Sequence, residues 1–275
     1  MLTLEQKQLI QEKAKAIRVH IVKAVTAAKS GHPGGSLSIA DVMSLLYFQE
    51  MNVNPNEPKD PNRDRFVLSK GHAAPALYAT LAEKGFFPTE ELLNLRKIDH
   101  ILQGHPDMKY IPGVDMSTGS LGQGISAACG MALAGKIDGA SYRVYSVLGD
   151  GELEEGQVWE AAMFAAHYKL SNLTAFVDFN GLQIDGDITK VMSPLPIDEK
   201  FKVFGWHVIV VDGHDLDALH AAVIEAKATT DKPTMVIMNT VKGKGVQAME
   251  GQAGWHGKAP SQEECDKFVA ELLEV

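Results

Sequence analysis

Apolar residues take up helical spacing almost from the first residue. Leu9, Ile10, Ala14, Ile17, Ile21, Val22 and Val25 share one stripe and predict a helix over about 4–29. Thr3 can cap it, with Gln6 as the reciprocal partner. The run Ser30-Gly31-His32-Pro33-Gly34-Gly35 breaks the pattern. A second helix is expected near 39–50, with Ser38 and Asp41 as its capping pair. The Pro- and Asn-rich stretch that follows reads as loop. Arg65-Phe66-Val67-Leu68-Ser69 then gives a short strand, Lys70-Gly71-His72 a turn, and Leu77, Leu81 and Ala82 mark the next helix.

The middle of the chain is the most regular part. Strands are predicted at 142–148, 173–178, 207–211 and 234–241, separated by helical patterns at about 120–136, 155–169 and 216–227. Alternation of helices with apolar strands through short connections predicts an α/β fold, a parallel sheet with helices on both faces. Such sheets bind ligands beyond the carboxyl ends of their strands, so function is expected in the loops after the strands. No repeat, low-complexity tract or linker divides the chain. It reads as one domain over 1–275, closing on a helix from about Gln262 with Ser261 and Glu264 as the capping pair.

Composition narrows the choice of partner. Of the 275 residues 22% are charged, and the net charge is −9, which argues against nucleic acid or an anionic membrane as the main partner. Any anionic ligand has to be held by local donors or a metal. Cys129 and Cys265 lie far apart, and Cys129 sits in an apolar helical run where a buried thiol is expected, which fits a reduced cytoplasmic compartment. The N-terminus lacks the apolar core and cleavage site of a signal peptide, and no apolar stretch is long enough to span a bilayer. A soluble protein is expected.

Gly149-Asp150-Gly151 ends one predicted strand and Asp178-Phe179-Asn180 ends the next. An aspartate and an asparagine at neighbouring strand ends can aim two hard oxygen ligands at one Mg²⁺. The glycines let backbone N–H groups approach a diphosphate, and the helix beginning near Glu155 turns its positive end towards it. Alone, Gly-Asp-Gly is also an ordinary turn.

With one αβ unit between its halves, Gly149-Asp150-Gly151 and Asn180 together resemble the thiamine diphosphate motif. Ala28-Lys29-Ser30-Gly31-His32-Pro33-Gly34-Gly35, Leu68-Ser69-Lys70-Gly71-His72-Ala73, Gln103-Gly104-His105-Pro106, Ser117-Thr118-Gly119-Ser120-Leu121-Gly122-Gln123-Gly124 and Trp255-His256-Gly257 resemble transketolase motifs, in transketolase order, over nearly the whole chain. Phe179 departs from the generic motif, which often has a second Asn there. The resemblance implies that Asp150, Asn180 and the backbone carbonyl of Leu182 bind Mg²⁺, with Ca²⁺ or Mn²⁺ able to substitute. It implies that Gly151 contacts the diphosphate and that Gly119, Ser120 and Leu121 line the thiazolium and pyrimidine side. Glu155, by similarity, belongs to a carboxylate network that links paired cofactor sites in the dimer; an acid is also favoured there simply as a helix-start residue. Glu152 and Glu154 read as solvated helix-start charges.

Ten histidines are present, and His32, His72, His105, His214 and His256 adjoin glycines. A loop histidine is commonly just a hydrogen-bonded surface residue. By resemblance, His32, His72, His105 and His256 surround the cofactor's reactive carbon and the sugar hydroxyls, with His72 and His256 also touching the cofactor. His32 and His256 are then the candidates for proton transfer at the aldehyde end. His214 reads as part of a strand-to-helix turn with Asp215 near a cap position, and His20, His100, His167, His207 and His220 carry no motif. Lys242-Gly243-Lys244-Gly245 lacks the spacing of a phosphate loop and reads as a lid or cofactor-edge loop.

The implied activity is that of a transketolase subunit in the pentose phosphate pathway, passing a two-carbon ketol unit from a ketose phosphate to an aldose phosphate through thiamine diphosphate. Family members take a pyrimidine-activating glutamate, and the basic residues that grip the sugar phosphate, from a following domain. A gene product starting at Met1 and ending after the capped terminal helix would need a separate C-terminal transketolase subunit, in a heterotetramer of two chains of each kind. Two other readings stay open. A related enzyme such as 1-deoxyxylulose-5-phosphate synthase shares the cofactor motif, although Ser30-Gly31-His32-Pro33-Gly34-Gly35 and Trp255-His256-Gly257 fit transketolase better. A non-catalytic module would keep the fold but lose the imidazoles, and all four motif histidines are present.

Overall fold

A computed structural model describes residues 1–184 and 186–274. Its helices are α1 (Leu4–Ala28), α2 (Pro33–Leu37), α3 (Ala40–Leu45), α4 (Ala74–Lys84), α5 (Gln123–Ile137), α6 (Gly156–His167), α7 (Ile188–Val191), α8 (Ile197–Val203), α9 (Leu216–Ala228) and α10 (Gln262–Glu274). The strands are β1 (Arg65–Leu68), β2 (Val144–Gly149), β3 (Leu173–Phe179), β4 (Leu182–Gln183), β5 (Gly186–Asp187), β6 (His207–Asp212) and β7 (Thr234–Asn239).

Five strands form one sheet in the order β1-β2-β3-β7-β6, with every pairing parallel. Alternate side chains leave each strand on opposite faces. Phe66, Leu68, Tyr145, Val147, Phe176, Val236 and Met238 pack with α1, α3, α4, α9 and α10. Val67, Val144, Leu148, Ala175, Val177, Met235 and Ile237 pack with α5, α6 and α8. Because both faces are covered, the central strands are mostly apolar on both sides, with Ser146, Thr174, Asp178 and Thr234 as buried polar exceptions. The short β4-β5 ribbon is antiparallel and follows β3 directly. Both cysteines are buried and free. No helix among the described residues is long and apolar enough to cross a membrane.

The expected caps hold at three helices. Thr3 and Gln6 form a reciprocal box on α1, Asp215 accepts from the N–H groups of Asp217 and Ala218 on α9, and Ser261 and Glu264 exchange bonds at the start of α10. The helix expected near 39–50 is α3 followed by a wider π turn over Leu46–Glu50, the short α2 forms where a break was expected, and Ser38 and Asp41 are not a capping pair. Tertiary partners claim both side chains. The Ser38 hydroxyl donates to Asp178 Oδ2 at 2.6 Å, and the buried Asp41 carboxylate is gripped by both guanidinium nitrogens of Arg18, at 3.0 and 2.5 Å.

Candidate active site

In the β2–β3 register Gly149 lies opposite Asp178, so Asp150 and Asn180 leave the sheet side by side. The loops after β1, β2, β3 and β7 meet there around a cavity of about 260 Å³. Its lining joins His32, His72, Gly119, Leu121, Asp150, Gly151, Asn180, Leu182 and His256 from the sequence analysis with Lys70, Gln183 and Lys242.

The floor is a buried charge network. Lys70 Nζ donates to Asp178 Oδ2 at 2.6 Å and to the Gly35 carbonyl at 2.7 Å. Asp178 also accepts from Ser38, from the Thr240 hydroxyl and from Asn180 Nδ2 at 2.9 Å. Burial alone would push its pKa up, but the Lys70 charge and these hydrogen bonds hold it below the ordinary carboxylate value. Such a pair costs desolvation, which the further hydrogen bonds to both partners offset. One consequence is local: with its amide N–H₂ turned to Asp178, Asn180 has its carbonyl oxygen turned away from the floor, where it accepts from the Leu182 N–H at 3.1 Å and keeps a second lone pair for a further partner.

Asp150 sits above this floor. Its carboxylate accepts from the Gly151 and Gly181 N–H groups at 2.9 and 2.7 Å. Gly181 takes φ 73, a left-handed conformation that suits glycine and lets its N–H reach Asp150. Burial, reinforced by the negative Asp178, pushes Asp150 up to about 7. A divalent cation here would relieve that cost. The donor set suits a hard metal ion, with a carboxylate, an amide oxygen and the Leu182 carbonyl, which already accepts from Lys242 Nζ at 3.1 Å. Beside Gly151, where a Cβ would meet Gln183 at 3.3 Å, Gln183 Oε1 is buried without a partner, so both fit an incoming polar ligand. Burial also pushes the Lys242 ammonium down to about 8, against the pull of Asp150.

Glu152 is not the solvated charge expected of it. It is buried and accepts from the Ser69 hydroxyl at 2.5 Å and from the Gly122 and Gly149 N–H groups at 2.8 and 3.0 Å. It therefore ties the loops after β1 and β2 to the start of α5, with Gly122 at φ 81. Glu154 is half-buried and accepts from Gln183 Nε2 at 3.0 Å, so it too is engaged.

The rings of His32, His72 and His256 lie 5.3 Å apart, centroid to centroid, in each pairing. His105 stands behind Gly119, whose Cβ would meet its ring at 3.2 Å. Burial, then Arg96, holds His32 at about 4; burial, then Lys242, does the same for His256; and burial and Lys70 push His72 well below its usual value. These imidazoles are neutral near pH 7. Because their folded pKa values lie below the unfolded value of about 6.5, the unfolded chain binds more protons at acid pH, and stability falls as pH drops from that value towards the folded one. The melting temperature is expected to fall between pH 7 and pH 5, and to fall less in His256→Gln, as followed by circular dichroism.

Three sequence candidates, His105, Glu155 and Ser120, lie outside the cavity lining. Glu155 is exposed at the start of α6, and Ser120 is exposed beside Gly119. His214 does more than serve its turn. It lies within hydrogen-bond distance of Asp41 through Nδ1 at 2.7 Å and accepts from Val241 N–H through Nε2 at 2.9 Å, next to Lys242. His20, His100, His207 and His220 pair with carboxylates at 2.5–2.8 Å.

A doubly covered parallel sheet with its polar cavity at the carboxyl ends of β2 and β3 is the arrangement in which α/β proteins bind their ligands. Residues 9–272 match the family model described as "Transketolase, thiamine diphosphate binding domain", and the chain belongs to that family. It is 48% identical, over 98% of both chains, to the "6-deoxy-6-sulfo-D-fructose transketolase subunit SqwG" of Clostridium sp. (strain MSTE9). It is 47% identical to human transketolase over 96% of this chain but only 42% of that one. The solved transketolase of Campylobacter jejuni superposes with a TM-score of 0.91 at 33% identity, covering 96% of this chain and 43% of that one. The chain thus spans under half the length of these single-chain transketolases and nearly all of the Clostridium subunit.

Proposed function

We propose that this chain is the thiamine-diphosphate- and metal-binding subunit of a cytoplasmic, two-subunit transketolase that moves a two-carbon ketol unit from a ketose phosphate to an aldose phosphate. The observation that carries this reading is the meeting of Asp150, Asn180 and the Leu182 carbonyl with three neutral imidazoles in one cavity, in a chain of the same extent as a transketolase subunit. Bound thiamine diphosphate supplies an electron sink for cleavage of the ketose carbon–carbon bond. Asp150, the Asn180 carbonyl oxygen and the Leu182 carbonyl would hold Mg²⁺, and Gly151 and Lys242 would border the diphosphate. Gly119 and Leu121 border the rings, with Ser120 at the rim. His72, His105 and His32 hold sugar hydroxyls, and His256 exchanges a proton at the aldehyde oxygen. Glu155, on the exposed surface, belongs to the carboxylate link between paired sites.

The partner supplies what the cavity's own carboxylates do not. Asp150, Glu152 and Asp178 are each tied up by donors of this chain, which is in keeping with the family resemblance, by which a glutamate of a C-terminal transketolase subunit, in a heterotetramer, activates the pyrimidine. A second reading keeps the reaction and changes the donor. The Clostridium relative is named for a sulfonated ketose, and at 48% its identity to this chain is close to the 47% of the human enzyme. Assaying the assembled protein with a ketose phosphate and with a 6-sulfo-ketose separates the two. In that assay His256→Ala is expected to lower kcat by about a hundredfold while leaving cofactor affinity near wild type. Unchanged turnover would remove His256 from the chemistry.

A further inference from the structure

Arg96 lies outside every motif of the sequence analysis, yet it is the residue most closely built into the back of the histidine cluster. It takes φ 61, a left-handed conformation uncommon for a non-glycine residue, and its N–H donates to the Leu102 carbonyl at 2.7 Å. Backbone strain of this kind collects where a side chain must be held in one place. Gly104 leaves room for the guanidinium, because a Cβ there would lie 3.2 Å from Arg96 Cζ. Nη1 donates to Ser30 Oγ at 2.8 Å, and Nη2 lies 3.4 Å from His32 Nδ1.

We propose that Arg96 is a positioning residue that fixes His32 as the Nε2–H tautomer, so that His32 acts as a neutral hydrogen-bond donor to a sugar oxygen. The argument is one of donors and acceptors. A guanidinium has only N–H donors and stays protonated, so His32 Nδ1 must be the acceptor. A neutral imidazole that accepts at Nδ1 carries its proton on Nε2. The charged and titratable groups facing His32 are Arg96, His105, Lys242, His72 and His256, with no carboxylate among them, so the imidazolium is disfavoured. A neutral ring with Nε2–H stabilises developing charge on an oxygen by donation, and it takes up no proton at that nitrogen. His32 therefore orients the sugar by donation from Nε2. The identity of the oxygen rests on the proposed function; the tautomer does not.

The test is a two-bond ¹H–¹⁵N correlation spectrum of the full chain labelled with ¹⁵N-histidine, with His32 assigned by its loss in His32→Gln. The expected wild-type pattern is a protonated Nε2 and a bare Nδ1, unchanged from pH 6 to pH 8. Arg96→Met should show both tautomers in exchange, and Arg96→Lys, which keeps a cationic donor, should restore the wild-type pattern. In the assembled enzyme Arg96→Met should lower kcat by about tenfold with cofactor affinity unchanged. A protonated Nδ1 in the wild type, or a wild-type pattern in Arg96→Met, would overturn the assignment. If the wild-type assembly showed no ketol transfer, the functional reading would fall while the spectrum still decided the tautomer.

Discussion

Replacing Asp150 by alanine is expected to lower the affinity for thiamine diphosphate by about a hundredfold or more, a loss at least as large as that caused by removing an outer partner of a metal ligand. Asp150 is the single carboxylate in the proposed donor set, beside the amide oxygen of Asn180 and the carbonyl of Leu182. It contributes a charge that draws a divalent cation into a site also bordered by Lys242 and by the Lys70–Asp178 pair. Stability should move in the other direction. The carboxylate is buried next to Asp178, and burial with that like charge raises its pKa to about 7. Asp150→Asn, which keeps an oxygen acceptor and removes the charge, should therefore leave the cofactor-free protein melting no lower than wild type. Calorimetric titration with thiamine diphosphate, with and without Mg²⁺, beside a melting curve of each variant, checks both halves. Equal cofactor affinity in Asp150→Ala and wild type would remove Asp150 from the metal site.

The isolated chain is expected to bind thiamine diphosphate weakly. Its cavity gathers the groups suited to the metal and diphosphate end, namely Asp150, Asn180, Leu182, Gly151 and Lys242. Gly119 and Leu121 provide one edge for the rings, and the opposite wall is assigned to the partner. Without that wall water reaches the reacting end, where positioned hydrogen bonds and charges are much weaker than in a closed site. Calorimetry on the chain alone and on the assembled enzyme should show affinity rising on assembly. Equal affinity would mean that this chain builds the whole site.

Much of the site was legible because its chemistry sits at strand ends. Asp150 and Asn180 could be paired from spacing alone, since one αβ unit between parallel strands returns the chain to the same edge of the sheet. The histidines of the Gly-rich loops were legible by resemblance, and His32, His72 and His256 do meet. What escaped depends on contacts between distant segments. Ser38 and Asp41 have local capping spacing, yet Asp178 and Arg18 hold them. Glu152 stands among acids at a helix start and looks solvated, but donors from Ser69, Gly122 and Gly149 enclose it. Lys242 reads from the sequence only as part of a lid or cofactor-edge loop, because the fold alone brings Leu182 and His256 to its amine. Arg96 sits in a segment with no regular period. The β4-β5 ribbon and α7 are too short for a pattern of either period to register.

The measurement that bears most directly on the two-subunit account is reconstitution of turnover. The purified chain, supplied with thiamine diphosphate and Mg²⁺, is titrated with the C-terminal transketolase subunit while two-carbon transfer from a ketose phosphate to an aldose is followed. The account predicts essentially no transfer by the chain alone, activity that rises as the partner is added, and saturation near equal stoichiometry. Full turnover by this chain without a partner would contradict it.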